Sequence, residues 1–237
     1  GSFGAPVAKE LLNNPFLEAT NGEKFATIFY TLLLYIKLLI FPHPLTYDYY
    51  PKQIPIIGWG DIRAWGSLLL YFLMGVYALV TIRKKSIISF SIIFFIATLS
   101  VVSNLVFPVG TFMNERFIYI SSFGFALMIA YLLSEKLPNL FKNTKTYTSV
   151  LTVFVVVLML TYSVKSIARN RAWQDDYTLF TTDVDTSTES AKGNAAAASL
   201  YREQAQSAKD PGEKDKYYKL AIKYFTKALE VYPGYFD

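Results

Sequence analysis

Arg116 stands in the segment Asn114-Glu115-Arg116-Phe117-Ile118-Tyr119, at the mouth of a long apolar run. A guanidinium at such a rim can grip a phosphate through two N–H donors, and Glu115 beside it can orient it or meet a partner. Ionisable groups near membrane depth are functional candidates by default. The plainer reading is an interfacial Glu–Arg pair that anchors a helix end, and local sequence leaves both open. His43 is the only histidine and lies between Pro42 and Pro44. It can act as an acid/base or donate to a phosphate, or serve as a polar residue on a stiff turn. Asp48, in Thr46-Tyr47-Asp48-Tyr49-Tyr50, can hold a sugar hydroxyl or a helix start. Asp175 and Asp176 are neighbours, yet adjacent side chains on a helix diverge by about 100°, so they read as charges at a helix start. There is no Gly-rich phosphate loop, nucleotide fingerprint or Ser-His-Asp order. One histidine and no cysteine leave no zinc constellation and no thiolate nucleophile.

These residues are set in a chain of 237, of which 53% are hydrophobic and only 17% charged, with a mean hydropathy of +0.29. Soluble domains carry about 25% charged residues. The composition excludes a plain soluble globule, a disordered chain and a disulfide scaffold. The net charge of +5 has uneven sources. Residues 165–237 hold 11 Lys/Arg and 11 Asp/Glu, residues 25–164 hold 10 against 4, and residues 1–24 contribute −1. The basic excess belongs to loops of the apolar part, not to a basic face on a soluble fold, so no nucleic-acid partner is expected. The opening Gly1-Ser2-Phe3-Gly4 reads as the middle of a loop or a cloning scar, which suggests a piece of a longer protein.

Five apolar blocks run over residues 25–41, 64–82, 86–106, 117–133 and 147–164. At about 1.5 Å per residue against a hydrocarbon core of about 30 Å, each reads as a membrane helix, although the first either spans or lies flat at the interface. The expected fold is all-α: a polytopic transmembrane helix bundle of about five hydrophobic helices with a soluble helical tail. Arg83, Lys84 and Lys85 in one loop and Lys136, Lys142 and Lys145 in another place those loops on the cytoplasmic side. The loops at 42–63 and 107–116 and the tail then share the opposite side. In the tail, 190–208 and 214–231 form two helices broken at Asp210-Pro211-Gly212. The spacing of Ala221, Phe225, Ala228 and Pro233, with Ala198 and Tyr201 before them, matches a tetratricopeptide repeat. The expected division is an entry loop at 1–24, a membrane domain at 25–164, a linker with a short helix at 165–188 and the start of a repeat domain at 189–237.

Several segments together resemble a known family. Asn14-Pro15-Phe16 is followed by Leu39-Ile40-Phe41-Pro42-His43-Pro44-Leu45 and Asp48-Tyr49. Next come Leu105-Val106-Phe107-Pro108-Val109-Gly110-Thr111, Asn114-Glu115-Arg116-Phe117-Ile118-Tyr119, and Arg169-Asn170-Arg171-Ala172-Trp173. Their order is similar to the C-terminal membrane half of the transmembrane and tetratricopeptide-repeat O-mannosyltransferases and their bacterial relatives, in the glycosyltransferase class C superfamily. The resemblance implies an enzyme that takes a sugar, mannose or similar, from a polyprenyl-phosphate carrier. It would pass the sugar to a protein Ser/Thr hydroxyl on the periplasmic or lumenal side. It implies Arg116 and His43 at the donor phosphate, with Glu115, Asp48, Tyr49 and Tyr119 lining the site. The catalytic acid is then expected upstream of this chain. The implied partners are membrane lipid, the lipid-linked sugar and a protein on the repeats; no cofactor is certain, and a divalent metal is left open. A non-catalytic scaffold whose repeats recruit proteins, and a lipid-linked polysaccharide ligase or polymerase, are the alternatives. The lack of an Asn-x-Ser/Thr sequon leans towards a bacterial inner membrane over the endoplasmic reticulum.

Overall fold

The computed structural model describes residues 14–141 and 143–235, and every described regular element is helical. Lys142 and the first thirteen residues, including Gly1-Ser2-Phe3-Gly4, lie outside the described residues. Eight α-helices follow in order: α1 Asn21–Ile40, α2 Ile62–Thr81, α3 Ile87–Ser100, α4 Ile118–Tyr131, α5 Thr144–Ala172, α6 Asp176–Asp183, α7 Ala191–Ser207 and α8 Pro211–Val231.

Local chemistry sets the helix ends. Thr20 and Glu23 form a capping box that starts α1, each satisfying a backbone N–H of the other, and Pro42 follows its end. Asp61 caps α2 by accepting from the Arg63 amide at 2.9 Å. Asn143 caps α5, and Asp175 caps α6 through the Thr178 amide at 2.7 Å, as expected of an acid at a helix start.

All five apolar blocks are helical, but among the described residues three helices are long and apolar enough to cross a membrane. These run over Ile62–Lys84, Glu115–Leu140 and Thr144–Ala172. In α1, Glu23, Lys24 and Lys37 interrupt the apolar run. The third block is shorter than its composition suggests: α3 has 14 residues, a rise of about 21 Å. Beyond its end at Ser100, Asn104 takes a left-handed conformation (φ 62°) and its carboxamide closes the loop that follows. Asn104 accepts from the Val109 amide at 2.9 Å and donates to the Thr111 carbonyl at 2.8 Å. The fifth block is longer than expected. Helix α5 continues past residue 164 to Ala172, so the polar stretch that reads as a linker starts as two further helical turns.

The buried apolar side chains of the membrane part gather where helices meet loops. One core joins Ile28, Leu32 and Tyr35 of α1, Tyr49, Tyr50 and Ile54 of the loop at 41–61, Phe95 and Leu99 of α3, and Phe112 and Met113 of the next loop. Helices α3 and α4 approach closely at Gly124, where an added methyl would lie 2.7 Å from the Ser91 carbonyl oxygen. Most of α5 stands clear, with Ala172 its one buried residue. In the tail, α7 and α8 form a helical hairpin with Ala197, Ala198 and Tyr224 at its centre. Tyr201 stacks on Tyr224 at 5.6 Å.

Candidate functional site

The loop at 41–61 carries two cis prolyl bonds, His43-Pro44 and Tyr50-Pro51. Two other parts of the chain hold it, the loop before α4 and the tail. From the loop before α4, Glu115 reaches back: one carboxylate oxygen accepts from the Thr46 amide at 2.6 Å and the Tyr49 hydroxyl at 2.8 Å. Burial, with the Glu115 charge second, pushes the Tyr49 phenol well above its ordinary range, so it stays a donor. Asn114 donates to the Tyr47 carbonyl at 3.2 Å. From the tail, Asp183 accepts from the Tyr47 amide at 2.7 Å, and the Thr46 hydroxyl donates to Ser187 at 3.1 Å. Gln53 donates to the Thr186 carbonyl and accepts from the Glu189 amide, each at 3.1 Å.

Asp183 ends α6, where the helix dipole disfavours a carboxylate. Two groups offset that cost. One is the Tyr47 amide, and the other is Arg169 of α5, which forms a two-pronged ion pair with it, the Nη2–Oδ2 bond at 2.7 Å. Both partners are withdrawn from water, with Arg169 15% and Asp183 2% exposed.

Helix α5 supplies this contact by periodicity. Lys165, Arg169 and Trp173 stand four residues apart, so they share one face. The Lys165 ammonium lies 3.3 Å from His43 Nδ1, Arg169 holds Asp183, and the Trp173 ring has two guanidiniums near it. Arg169 is 5.6 Å and Arg116 5.9 Å from its centroid. One turn earlier, the Tyr162 hydroxyl donates to the Ile40 carbonyl at 2.7 Å. The loops and the tail therefore meet at one end of the helices, along one face of α5.

The residues expected at the site divide into three groups. Glu115, Tyr49 and Asp48 lie within the polar frame. Asp48 does hold a helix start, but a distant one: it accepts from the hydroxyl of Ser190, the N-cap of α7. Burial raises the Asp48 carboxyl above its ordinary range, against the lowering effect of its hydrogen bonds from Ser190 and the Tyr50 amide. Arg116 and His43 are exposed at the edge of the frame. Arg116 Nε donates to Asn114 Oδ1 at 3.2 Å, while its two terminal nitrogens have no hydrogen-bond or ion-pair partner among the described residues. Such a fork can take a phosphate oxygen pair. Tyr119 is 81% exposed on the outside of α4 and is not brought to the frame. Among the described residues no group of three or more His, Asp or Glu side chains is placed to hold a metal ion.

Lys165, Arg169 and Trp173 were not expected as site residues. Hydropathy treats Lys165 and Arg169 as charges that dilute a topological bias. The fourfold spacing is the signal that finds them, provided α5 is carried past residue 164.

Membrane-length helices with an ordered polar frame at one end define the broad class, a helical membrane protein. Comparison with known proteins bears out the resemblance read from the sequence. Residues 6–75 match the family model of the protein O-mannosyl-transferase TMTC, DUF1736. Protein O-mannosyl-transferase TMTC3 of Homo sapiens is 27% identical over 229 residues, covering 93% of this chain and 23% of its own length. Protein O-mannosyl-transferase TMTC1 of Mus musculus is 28% identical over 218 residues, covering 89% and 21%. Protein O-mannosyl-transferase Tmtc2 of Drosophila melanogaster is 32% identical over 92 residues. The chain thus spans about 23% of the length of the first of these relatives. No solved structure matches.

Proposed function

We propose that the protein is a membrane glycosyltransferase of class C. It transfers a sugar, mannose or a near relative, from a polyprenyl-phosphate carrier to a protein Ser/Thr hydroxyl on the periplasmic or lumenal side. The O-mannosyl-transferase names of its relatives support the reaction class. The observation that carries the reading is the exposed, unpaired guanidinium fork of Arg116, held by Asn114 and Trp173 beside the Glu115 frame. A polyprenyl carrier is too apolar for water, so its phosphate stays at the membrane surface. A transferase needs a fixed cation there to stabilise the charge left on the departing phosphate.

In this reading Arg116 and His43 face the donor phosphate, and Glu115, Tyr49 and Asp48 keep the loop in place. The carboxylate that activates the acceptor comes from a part of the enzyme outside this chain. Helices α7 and α8 begin a tetratricopeptide array that presents acceptors, an assignment supported by the buried small residues Ala198, Ala221 and Ala228 at their contact. The test is Arg116→Ala in the full-length protein. Transfer from a polyprenyl-phosphate sugar should fall about a hundredfold, in line with the loss of one charge-stabilising donor. Arg116→Lys should recover part of it, and thermal stability should hold because the residue is exposed. Undiminished transfer by Arg116→Ala would overturn the phosphate contact.

A further inference from the structure

Between the C-terminal end of α1 and the last turns of α5 lies a cleft of about 330 Å³. One wall is apolar, built by Leu38, Leu39 and Leu45, and the other carries Tyr162, Lys165 and Ser166. We infer that this cleft receives the phosphate end of an isoprenoid phosphate, with Lys165 as a phosphate contact. The inference rests on the donor class proposed above and places that donor on a particular pair of helices.

Three observations carry it. The first is uncompensated charge. The ammonium of Lys165 has the His43 imidazole as its neighbour at 3.3 Å and no carboxylate within ion-pair distance among the described residues. An ammonium and an imidazole side by side offer N–H donors to a common anion and no negative charge of their own. Arg169, the other cation lining the cleft, is already committed to Asp183. The Lys165 charge is thus offset by no side chain among the described residues.

The second is depth. Lys165 precedes the end of α5 at Ala172 by seven residues, about 10 Å along the axis. It is also the first charge after the apolar run 147–164, the position from which a long cationic side chain reaches a lipid phosphate at the membrane surface. The third is shape. Leucines form one wall and a cation stands on the other, so the cleft suits a single apolar chain with an anionic head. Bilayer phospholipids bring two acyl chains to each phosphate. Arg116, at the Trp173 end of the same α5 face, and Lys165, at the cleft end, then bracket the phosphate–sugar head.

The experiment uses the full-length protein in phosphatidylcholine nanodiscs, with an isoprenoid phosphate carrying a photoreactive diazirine in its first isoprene units. Crosslinks are expected in peptides containing residues 38–45 and 162–166. Lys165→Gln should lower their yield about tenfold, the scale of one lost charge-assisted contact, and Lys165→Arg should restore most of it. Leu45→Trp, which fills the cleft and leaves its charges in place, should lower the yield as well, so the result does not depend on one variant folding. Excess phosphatidylglycerol should not compete. Labelling confined to other helices, with Lys165→Gln unaffected, overturns the cleft and leaves the donor class standing. Equal competition by phosphatidylglycerol makes it an ordinary anionic-lipid site and also overturns the inference. Absence of labelling anywhere overturns the cleft and the donor class together.

Discussion

Asp183→Ala removes three contacts at once: both prongs of the Arg169 pair and the acceptor for the Tyr47 amide. Breaking a buried ion pair from one side costs about 3–5 kcal/mol, because the remaining charge stays buried and unpaired. Two features hold the cost at the lower end. Arg169 keeps 15% exposure, so water reaches it, and the Glu115 charge already acts on it and remains. We therefore expect about 3 kcal/mol, and it should fall on the attachment of the 41–61 loop to the tail. At 1.4 kcal/mol per tenfold, that is about a hundredfold in the opening equilibrium. Hydrogen–deuterium exchange read on peptides spanning residues 44–50 and 183–190 measures it directly. Exchange there should accelerate about a hundredfold, while α2 and α4 keep their wild-type rates. The double variant Arg169→Met/Asp183→Leu should recover much of the protection, since an apolar pair leaves no orphaned charge. Exchange within threefold of wild type in Asp183→Ala, or a double variant no better than the single, would refute the idea that this pair fastens the frame.

Three further outcomes follow from the same geometry. Gly124→Ala should destabilise the protein by roughly 1–3 kcal/mol, because its methyl meets the Ser91 carbonyl oxygen at 2.7 Å; thermal unfolding in detergent checks this, and an unchanged midpoint counts against the α3–α4 packing. Tyr49→Phe removes one of the two donors to Glu115 and should cost about 1–2 kcal/mol, seen as a lower unfolding midpoint with the fold retained. For Asp48, burial raises the folded-state value above the ordinary 3.8, so the native state binds more protons than the unfolded chain in the window above 3.8. Its contribution is full below that value and is lost as pH rises through the raised one. The midpoint of Asp48→Asn relative to wild type should accordingly increase from pH 4 to pH 7, and a pH-independent difference contradicts this.

Much of the helical organisation is legible in the residues, because apolar blocks of membrane length are a matter of composition. The exceptions each turn on a single residue or a distant pair. The apolar run 86–106 reads as one helix, yet Asn104 adopts φ 62° and binds its own loop, which hydropathy averages away. Helix α5 runs past residue 164, and Lys165 and Arg169 there meet His43 and Asp183 on the face they share, whereas a hydropathy window reads the same charges as the end of a span. The placement of Glu115 and Asp48 in one frame was beyond local reading. Glu115 is tied to Thr46 across 69 positions, and Asp48 to Ser190 across 142. Arg116 and His43 stood out by type and setting, and both lie at the exposed edge of that frame. Tyr119 follows the same motif but is 81% exposed on α4.

The most direct test of the central claim is sugar transfer by the purified full-length protein in lipid vesicles. It is offered either a polyprenyl-phosphate mannose or a nucleotide mannose, together with a Ser/Thr-rich acceptor peptide. The expected result is transfer from the polyprenyl-phosphate donor alone, lost in Arg116→Ala and reduced in Lys165→Gln. Transfer from the nucleotide sugar, or transfer from the lipid donor that neither substitution touches, would contradict it.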